Sequence, residues 1–291
     1  MNPTCISFEE FRSLYTNLDR IQIVINESCV YRAERENRMV VLKLFNKKLY
    51  KMWKNEMTIL NDLSDVDSVI NILHAYVVTK ERRSPVYVIE LEHADGDLQH
   101  LLHGKTLNAR LMMKRIITMY VELSRMNVAH RDIKPENILF FTDEDGHITK
   151  LKIADFGTGC YVDTANFKRR TGRVGTVTYM CPNKHAGCSY DVLKSEVWSV
   201  GIILYNLLTN DSPYWITNNG CLDEDYGLIV SREWDKYWKK KNLQSHMPTT
   251  LKHLFYKLLE PDENDRISMD HILNHPWFGE ENKENLKVVN K

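Results

Sequence analysis

At 291 residues the chain is long enough for one large domain or two small lobes with real cores. Lysine plus arginine equals aspartate plus glutamate at 39 each. That balance argues against nucleic acid and against an acidic membrane surface as direct partners.

The first residues, from Met1 to Phe11, lack the basic stretch and apolar run of a signal peptide. Residues 197–208 form the longest apolar run, short of the about 20 residues that span a bilayer. Neither end carries a lipidation motif. The six cysteines are scattered, which fits reduced thiols and a place in the cytoplasm or nucleus.

In chain order, residues 21–26, 29–35 and 38–45 are β-rich runs parted by polar turns, with 36–38 as a hairpin connection. A helix follows, with Leu49, Met52, Trp53 and Leu60 on one stripe. Residues 69–79 and 85–91 read as further strands. Helices dominate from Asp97 onward. Met112, Ile116, Met119, Tyr120 and Leu123 recur at helical spacing. Residues 133–141 and 148–154 flank the turn Asp143-Glu144-Asp145-Gly146 and suggest a hairpin. Residues 197–208 are apolar on nearly every face and predict a central buried helix. The stretch from Trp234 to Lys241 reads as an amphipathic surface helix with solvated lysines rather than a nucleic-acid patch. Residues 251–259 and 268–274 predict two more helices. The class is α+β, with a β-rich amino lobe over 1–92, a hinge near 90–94, a helical carboxyl lobe over 93–278 and a polar tail over 279–291.

One buried-face charge is informative by itself. Glu56 falls on the apolar stripe of the first long helix. A carboxylate there is costly unless a cation meets it, and Lys43 on the preceding strand is the natural partner. The run Cys181, His185 and Cys188 offers three zinc ligands without a fourth at a typical spacing, so it reads as structural thiols. Cys29 likewise reads as a packing residue.

The densest chemistry is His130-Arg131-Asp132-Ile133-Lys134-Pro135-Glu136-Asn137, followed by Asp155-Phe156-Gly157. Phosphoryl transfer needs this inventory: one carboxylate to orient a hydroxyl, and a carboxylate plus an amide to hold Mg²⁺. At these residues the chain resembles the eukaryotic protein kinases over nearly its whole length. The resemblance implies a bilobal protein kinase fold, ATP and Mg²⁺ as cofactors, and a protein substrate. It implies Asp132 as catalytic base, with Lys134 beside it in the serine/threonine-type pattern, and Asn137 and Asp155 as metal ligands. Lys43 in Val40-Val41-Leu42-Lys43 resembles the ATP-anchoring lysine, oriented by Glu56. Ile25, Val30, Val41, Asp97 and Leu139 fall at nucleotide-contacting positions, with Val30 and Leu139 on either side of the adenine. Gly175-Thr176-Val177-Thr178-Tyr179-Met180 resembles the substrate-positioning segment.

Several positions depart from the family. From Ile25 to Val30 the chain has no glycine where the phosphate-covering loop is glycine-rich. Asn183 replaces the glutamate that pairs with an arginine, by resemblance Arg266. Glu196 replaces the aspartate that braces the catalytic loop and is expected to shift that brace without abolishing it. The reduced amino lobe is similar to that of kinases from large DNA viruses, baculovirus-like. Asp97, Glu136, Asp223, Glu224 and Asp225 are the acids expected near a substrate peptide, and they predict arginine-rich sites. Arg131 next to Asp132 makes Thr171 the candidate phosphorylation site. The alternative reading is a pseudokinase scaffold with weak nucleotide binding; a kinase for small molecules is disfavoured by the intact 175–182 segment. Self-association as a homodimer stays open.

Overall fold

The computed structural model describes residues 2–23, 28–104, 107–162 and 169–279. The chain packs as two units, Met1–Gly96 with Leu139–Gly159, and Asp97–Ile138 with Cys160–Lys291. The hairpin at 139–159 thus joins the first unit although it follows the start of the second.

Among its described residues, the first unit is a six-stranded sheet of β1 (Thr4–Ser7), β2 (Thr16–Ile23), β3 (Ser28–Arg35), β4 (Arg38–Phe45), β5 (Ile72–Thr79) and β6 (Val86–Glu92). Its order is β1-β5-β6-β4-β3-β2, antiparallel except that β1 runs parallel to β5. The β3–β4 link is tight because Glu36 and Asn37 both take left-handed backbone, at φ 51° and 60°. Two such residues make a turn whose twist matches the strands it joins. The strand expected over 21–26 begins earlier, at Thr16, and is described to Ile23. Residues 90–92, expected in the hinge, are still strand.

Pairing across β3, β4 and β6 sets Val30 opposite Lys43, and Lys43 opposite Ile89. Facing residues share one side of a sheet, and side chains alternate along each strand. Val41 therefore lies on the Lys43 side, and Leu42 points to the other. On that other side Ala33, Val40, Leu42, Tyr76, Val78 and Val88 form a core with Phe11 and Tyr15.

Those two aromatics come from a segment with no counterpart in the expected elements. Helix α1 (Phe8–Ser13) starts at a capping box. Ser7 Oγ accepts from the Glu10 N–H at 3.1 Å, and Glu10 Oε2 accepts from the Ser7 N–H at 2.7 Å. Beyond it, the Tyr15 hydroxyl donates to Glu90 Oε2 at 2.5 Å. Glu90 is 1% exposed and also meets Arg35 Nη1 at 2.9 Å.

Helix α2 (Tyr50–Asp62) buries Trp53, Glu56, Met57, Ile59 and Leu60. The hairpin pairs β7 (Ile138–Thr142) with β8 (Ile148–Ile153). Residues 133–137 do not extend that strand as expected. Pro135 has no N–H to give and opens a single 3₁₀ turn over Pro135–Asn137.

In the second unit, α3 (Leu98–Gly104), α4 (Ala109–Arg125), α5 (Val192–Thr209), α6 (Glu224–Val230), α7 (Trp234–Lys240) and α8 (Thr249–Leu258) supply most of the described structure. Helix α5 is buried on nearly every face, from Val192 to Thr209, as its apolar run predicts. In α7 Tyr237 and Trp238 are buried, while Lys239 and Lys240 are exposed. The helix expected over 268–274 is one turn, Met269–Ile272. No described helix is long and apolar enough to cross a membrane. Of the expected tail, Gly279 alone lies among the described residues.

Candidate active site

Each unit presents one cluster. In the first, Lys43 Nζ lies 2.9 and 2.8 Å from the two Glu56 oxygens and 2.7 Å from Asp155 Oδ1. Glu56 is fully buried, whereas the Asp155 side chain is 45% exposed. Both carboxylates hold the lysine, but Glu56 does so out of contact with solvent and Asp155 at the surface. Burial pushes the Lys43 ammonium towards its neutral form, but the Asp155 and Glu56 charges outweigh it and raise its pKa. Burial also raises the Glu56 pKa, against the pull of Lys43.

Asn55 ties helix α2 to the Asp155-Phe156-Gly157 segment. Its Nδ2 donates to the carbonyls of Phe156 at 3.2 Å, Gly157 at 3.4 Å and Gly159 at 2.9 Å. Asp155 itself takes left-handed backbone at φ 65°. Phe156 is fully buried. A side chain at position 157 would press on Met52 Cγ at 3.0 Å, so glycine lets the segment pass close to α2.

Val30 and Val41 are half-buried on the Lys43 side of the sheet, and Leu139 is half-buried in β7. Ile25 lies outside the described residues.

In the second unit the loop 130–137 places Asp132, Lys134 and Asn137. Asp132 Oδ1 accepts the Thr176 N–H at 2.7 Å. Lys134 Nζ lies 3.2 Å from Asp132 Oδ2 and donates to Thr176 Oγ1 at 3.0 Å. Asn137 Nδ2 donates to the Asp132 carbonyl at 2.9 Å, which turns the amide oxygen, an acceptor, away from that carbonyl. Asp97 caps α3, its Oδ1 accepting from the His100 N–H at 2.9 Å.

The substitution at 196 keeps its brace. Glu196 Oε1 accepts from His130 N at 2.5 Å and Arg131 N at 2.9 Å. Burial raises its pKa to about 7, with those two N–H groups pulling it back.

One expectation is corrected. Arg266 does not meet Asn183. Its guanidinium donates to the carbonyls of Glu260 at 2.8 Å, Lys194 at 2.8 Å and Pro261 at 3.1 Å. It also lies over the Trp198 ring. Backbone carbonyls thus take the place of a charged partner.

Asp223, Glu224 and Asp225 each have partners within their own unit. Asp223 caps α6, accepting from Tyr226 N at 3.2 Å, and also accepts from Trp215 N at 2.9 Å. Glu224 pairs with Lys240, and the buried Asp225 pairs with Lys240 and Lys241. Glu136 remains exposed.

Cys181 is buried and Cys188 exposed. Among the described residues the single His/Cys/Asp/Glu group close enough to share an ion is the exposed Asp143, Asp145 and His147.

A lysine held by a helix carboxylate, a carboxylate ahead of Phe-Gly, and an Asp/Lys/Asn loop define a phosphoryl-transfer protein of the kinase class. Similarity to known proteins agrees. Residues 26–278 match the family model described as protein kinase domain. The chain is 30% identical over 248 residues to serine/threonine-protein kinase atg1 of Dictyostelium discoideum, covering 83% of this chain and 34% of that protein. It is 31% identical over 215 residues to serine/threonine-protein kinase GD17699 of Drosophila simulans, covering 71% and 27%. It is 29% identical over 259 residues to calcium-dependent protein kinase 3 of Plasmodium yoelii yoelii, covering 86% and 45%. The chain belongs to the eukaryotic-type protein kinase family. It spans about a quarter to a half of the length of these relatives.

Proposed function

We propose that the chain is an active serine/threonine protein kinase that transfers the γ-phosphoryl group of ATP, uses Mg²⁺ and favours basic substrate sites. The observation that carries this reading is the Asp132–Lys134–Thr176 triangle. A carboxylate, a cation and the segment read as positioning substrate lie within hydrogen-bond or ion-pair reach of one another, and this supports a site for hydroxyl activation.

The residues fit the implied metal. The half-exposed Asp155 carboxylate and the Asn137 amide oxygen are hard oxygen donors, the type that Mg²⁺ selects. When bound, Mg²⁺ would neutralise phosphate charge. Lys43 would hold phosphate oxygens, and its paired Glu56 keeps it from swinging away. Asp132 would orient the substrate hydroxyl and take its proton. Lys134 would stabilise negative charge on the group in transfer.

Basic-site preference rests on fewer carboxylates than the sequence suggests. Asp225 is buried in its ion pairs and Asp223 is held by two N–H groups, while Glu136 and Glu224 are exposed and Asp97 partly so, to meet arginines. The missing glycines between Ile25 and Val30 favour the second reading, a pseudokinase scaffold.

Transfer from radiolabelled ATP to a basic protein, with and without Mg²⁺, tests the choice. We expect Mg²⁺-dependent labelling of serine and threonine that Asp132→Asn removes. Nucleotide binding without any transfer would favour the scaffold. A positional peptide library should show arginine selectivity that weakens in Glu136→Ala; acidic or proline-directed selectivity would refute the basic preference.

A further inference from the structure

Arg131, immediately before Asp132, has left-handed backbone at φ 69°. A non-glycine residue stays there when its surroundings hold it. On its amide side the hold is Glu196, which accepts the Arg131 N–H at 2.9 Å. On its carbonyl side the hold is a residue that no motif marks. Lys184 Nζ donates to the Arg131 carbonyl oxygen at 2.6 Å.

Lys184 is 4% exposed, and its ammonium lies 5.6 Å from the centre of the Tyr190 ring. No carboxylate among the described residues comes within ion-pair distance of it. A buried ammonium without a paired carboxylate is costly, so the carbonyl it meets is its main polar partner. The same oxygen is approached from a second direction. A Cβ on Gly175, which has φ 93°, would come within 2.6 Å of Arg131 O and 2.9 Å of Asp132 Oδ1. That closeness lets the next N–H, of Thr176, reach Asp132 Oδ1 at 2.7 Å.

Glu196 and Lys184 act on the successive peptide planes that flank the Arg131 Cα. The Arg131 carbonyl belongs to the peptide that leads into Asp132, and a planar peptide moves as one body. A donor that fixes the oxygen also fixes the direction in which the Asp132 Cα leaves. We propose that Lys184 is a positioning residue for Asp132, clamping the Arg131–Asp132 peptide from residues 175–185 while Glu196 clamps Arg131 from helix α5.

The charge state agrees with this role. Burial, then the Arg131 guanidinium, push the Lys184 pKa down to about 8, with Cys181, Glu196 and Asp132 opposing. Lys184 therefore keeps its proton at neutral pH and donates as a charged group, which strengthens the bond. The sequence offers no hint of this, because a lysine after Cys181-Pro182-Asn183 looks like any surface lysine.

The proposal rests on Asp132 being the catalytic base, so the experiment separates the two. Lys184→Met keeps the stem and removes the donor; Lys184→Arg keeps a charged donor. Both are compared with the native chain and with Asp132→Asn for kcat, KM for ATP, thermal midpoint and hydrogen exchange of the amides at 128–137. We expect Lys184→Met to lower kcat about 10- to 100-fold, the scale of a misplaced catalytic group. We expect its KM for ATP to stay within about 2-fold, because Lys43 belongs to the other unit. Lys184→Arg should recover most of the loss. Exchange should rise at 130–132 in Lys184→Met and stay unchanged at 43–56.

Native kcat in Lys184→Met overturns the proposal. So does a loss that vanishes well below the thermal midpoint, which marks a purely structural lysine. If the native chain transfers no phosphate, the kinase reading fails, and exchange alone decides the clamp: protected 130–132 amides in Lys184→Met refute it.

Discussion

The Lys43 cluster and the Asp132 loop each place charges in partly buried protein, and they do it by opposite means. Around Lys43 charge meets charge: two carboxylates flank one ammonium, and the side chains hold one another. Around Asp132, apart from the Lys134 ammonium beside it, charge meets backbone. Glu196 takes two N–H groups, Lys184 takes a carbonyl, and Asp132 takes the Thr176 N–H. A side-chain pair tolerates small shifts of the strands that carry it. A backbone clamp does not, because each hydrogen bond is aimed at one peptide plane. The Asp132 loop accordingly carries left-handed Arg131 and a glycine at 175, while Lys43 and Glu56 stand on ordinary strand and helix and Asp155 alone of that cluster is left-handed.

The largest expected effect tests the loop directly. Asp132→Asn should cut phosphoryl transfer by about 10²- to 10⁴-fold, the range for a lost general base. Circular dichroism and ATP binding should stay native. Retained turnover would show that the base lies elsewhere.

Next comes the lysine cluster. Lys43→Met leaves Glu56 buried without its cation, a change that typically costs about 3–5 kcal/mol. Urea unfolding should show that loss, and the double variant Lys43→Met/Glu56→Leu should recover much of it while nucleotide binding stays poor. A double variant no more stable than the single one would mean that the Glu56 carboxylate is not left uncompensated when Lys43 is removed.

A smaller effect is expected on the far side of the same sheet. Tyr15→Phe removes the hydroxyl that Glu90 accepts, leaving Arg35 as its chief partner. A lost bond to a buried charged group costs about 1–3 kcal/mol. A matching drop in urea midpoint, without change in kcat, would place residues 3–15 in the folding of the first unit. An unchanged midpoint would mean that Arg35 alone satisfies Glu90.

The finest test is pH. The pKa of Glu196 is about 7 in the fold against an ordinary 4.5. A raised pKa means the folded chain binds the proton more tightly. This contribution to stability is therefore full below about pH 4.5 and is lost as pH rises to about 7. Glu196→Gln has no proton to lose, so its stability relative to the native chain should rise across that window. A constant difference would show that the two backbone N–H groups hold Glu196 ionised throughout.

Legibility in the sequence follows the same division. Charge paired with charge leaves a mark in residue types, and Glu56 on an apolar stripe calls for Lys43 on residue types alone. Clamps made to the backbone leave none, since every residue owns a carbonyl and nearly every one an N–H. Lys184 carries no mark in the sequence for that reason, and Arg266 suggests a side-chain partner there although carbonyls serve it in the fold. Glu224 and Asp225 look unpaired in the sequence because Lys240 and Lys241 stand too far along the chain for any local pattern to pair them. The amino-terminal helix is a different case. Ser7-Phe8-Glu9-Glu10 is a capping-box signature visible in the residues themselves, whereas the use of Phe11 and Tyr15 against β4, β5 and β6 is not.

By itself the sequence determined the α+β class, the strand–helix order around Lys43 and Glu56, the buried central helix, and the Asp132, Lys134, Asn137 and Asp155 inventory. Periodicity, turn chemistry and the cost of a buried charge are local properties, so they survive in one dimension. Tertiary structure alone decided that the 139–159 hairpin joins the first unit, which carboxylates are already neutralised, and which peptide Lys184 holds. Those depend on partners brought close by packing, and sequence separation carries no record of that distance.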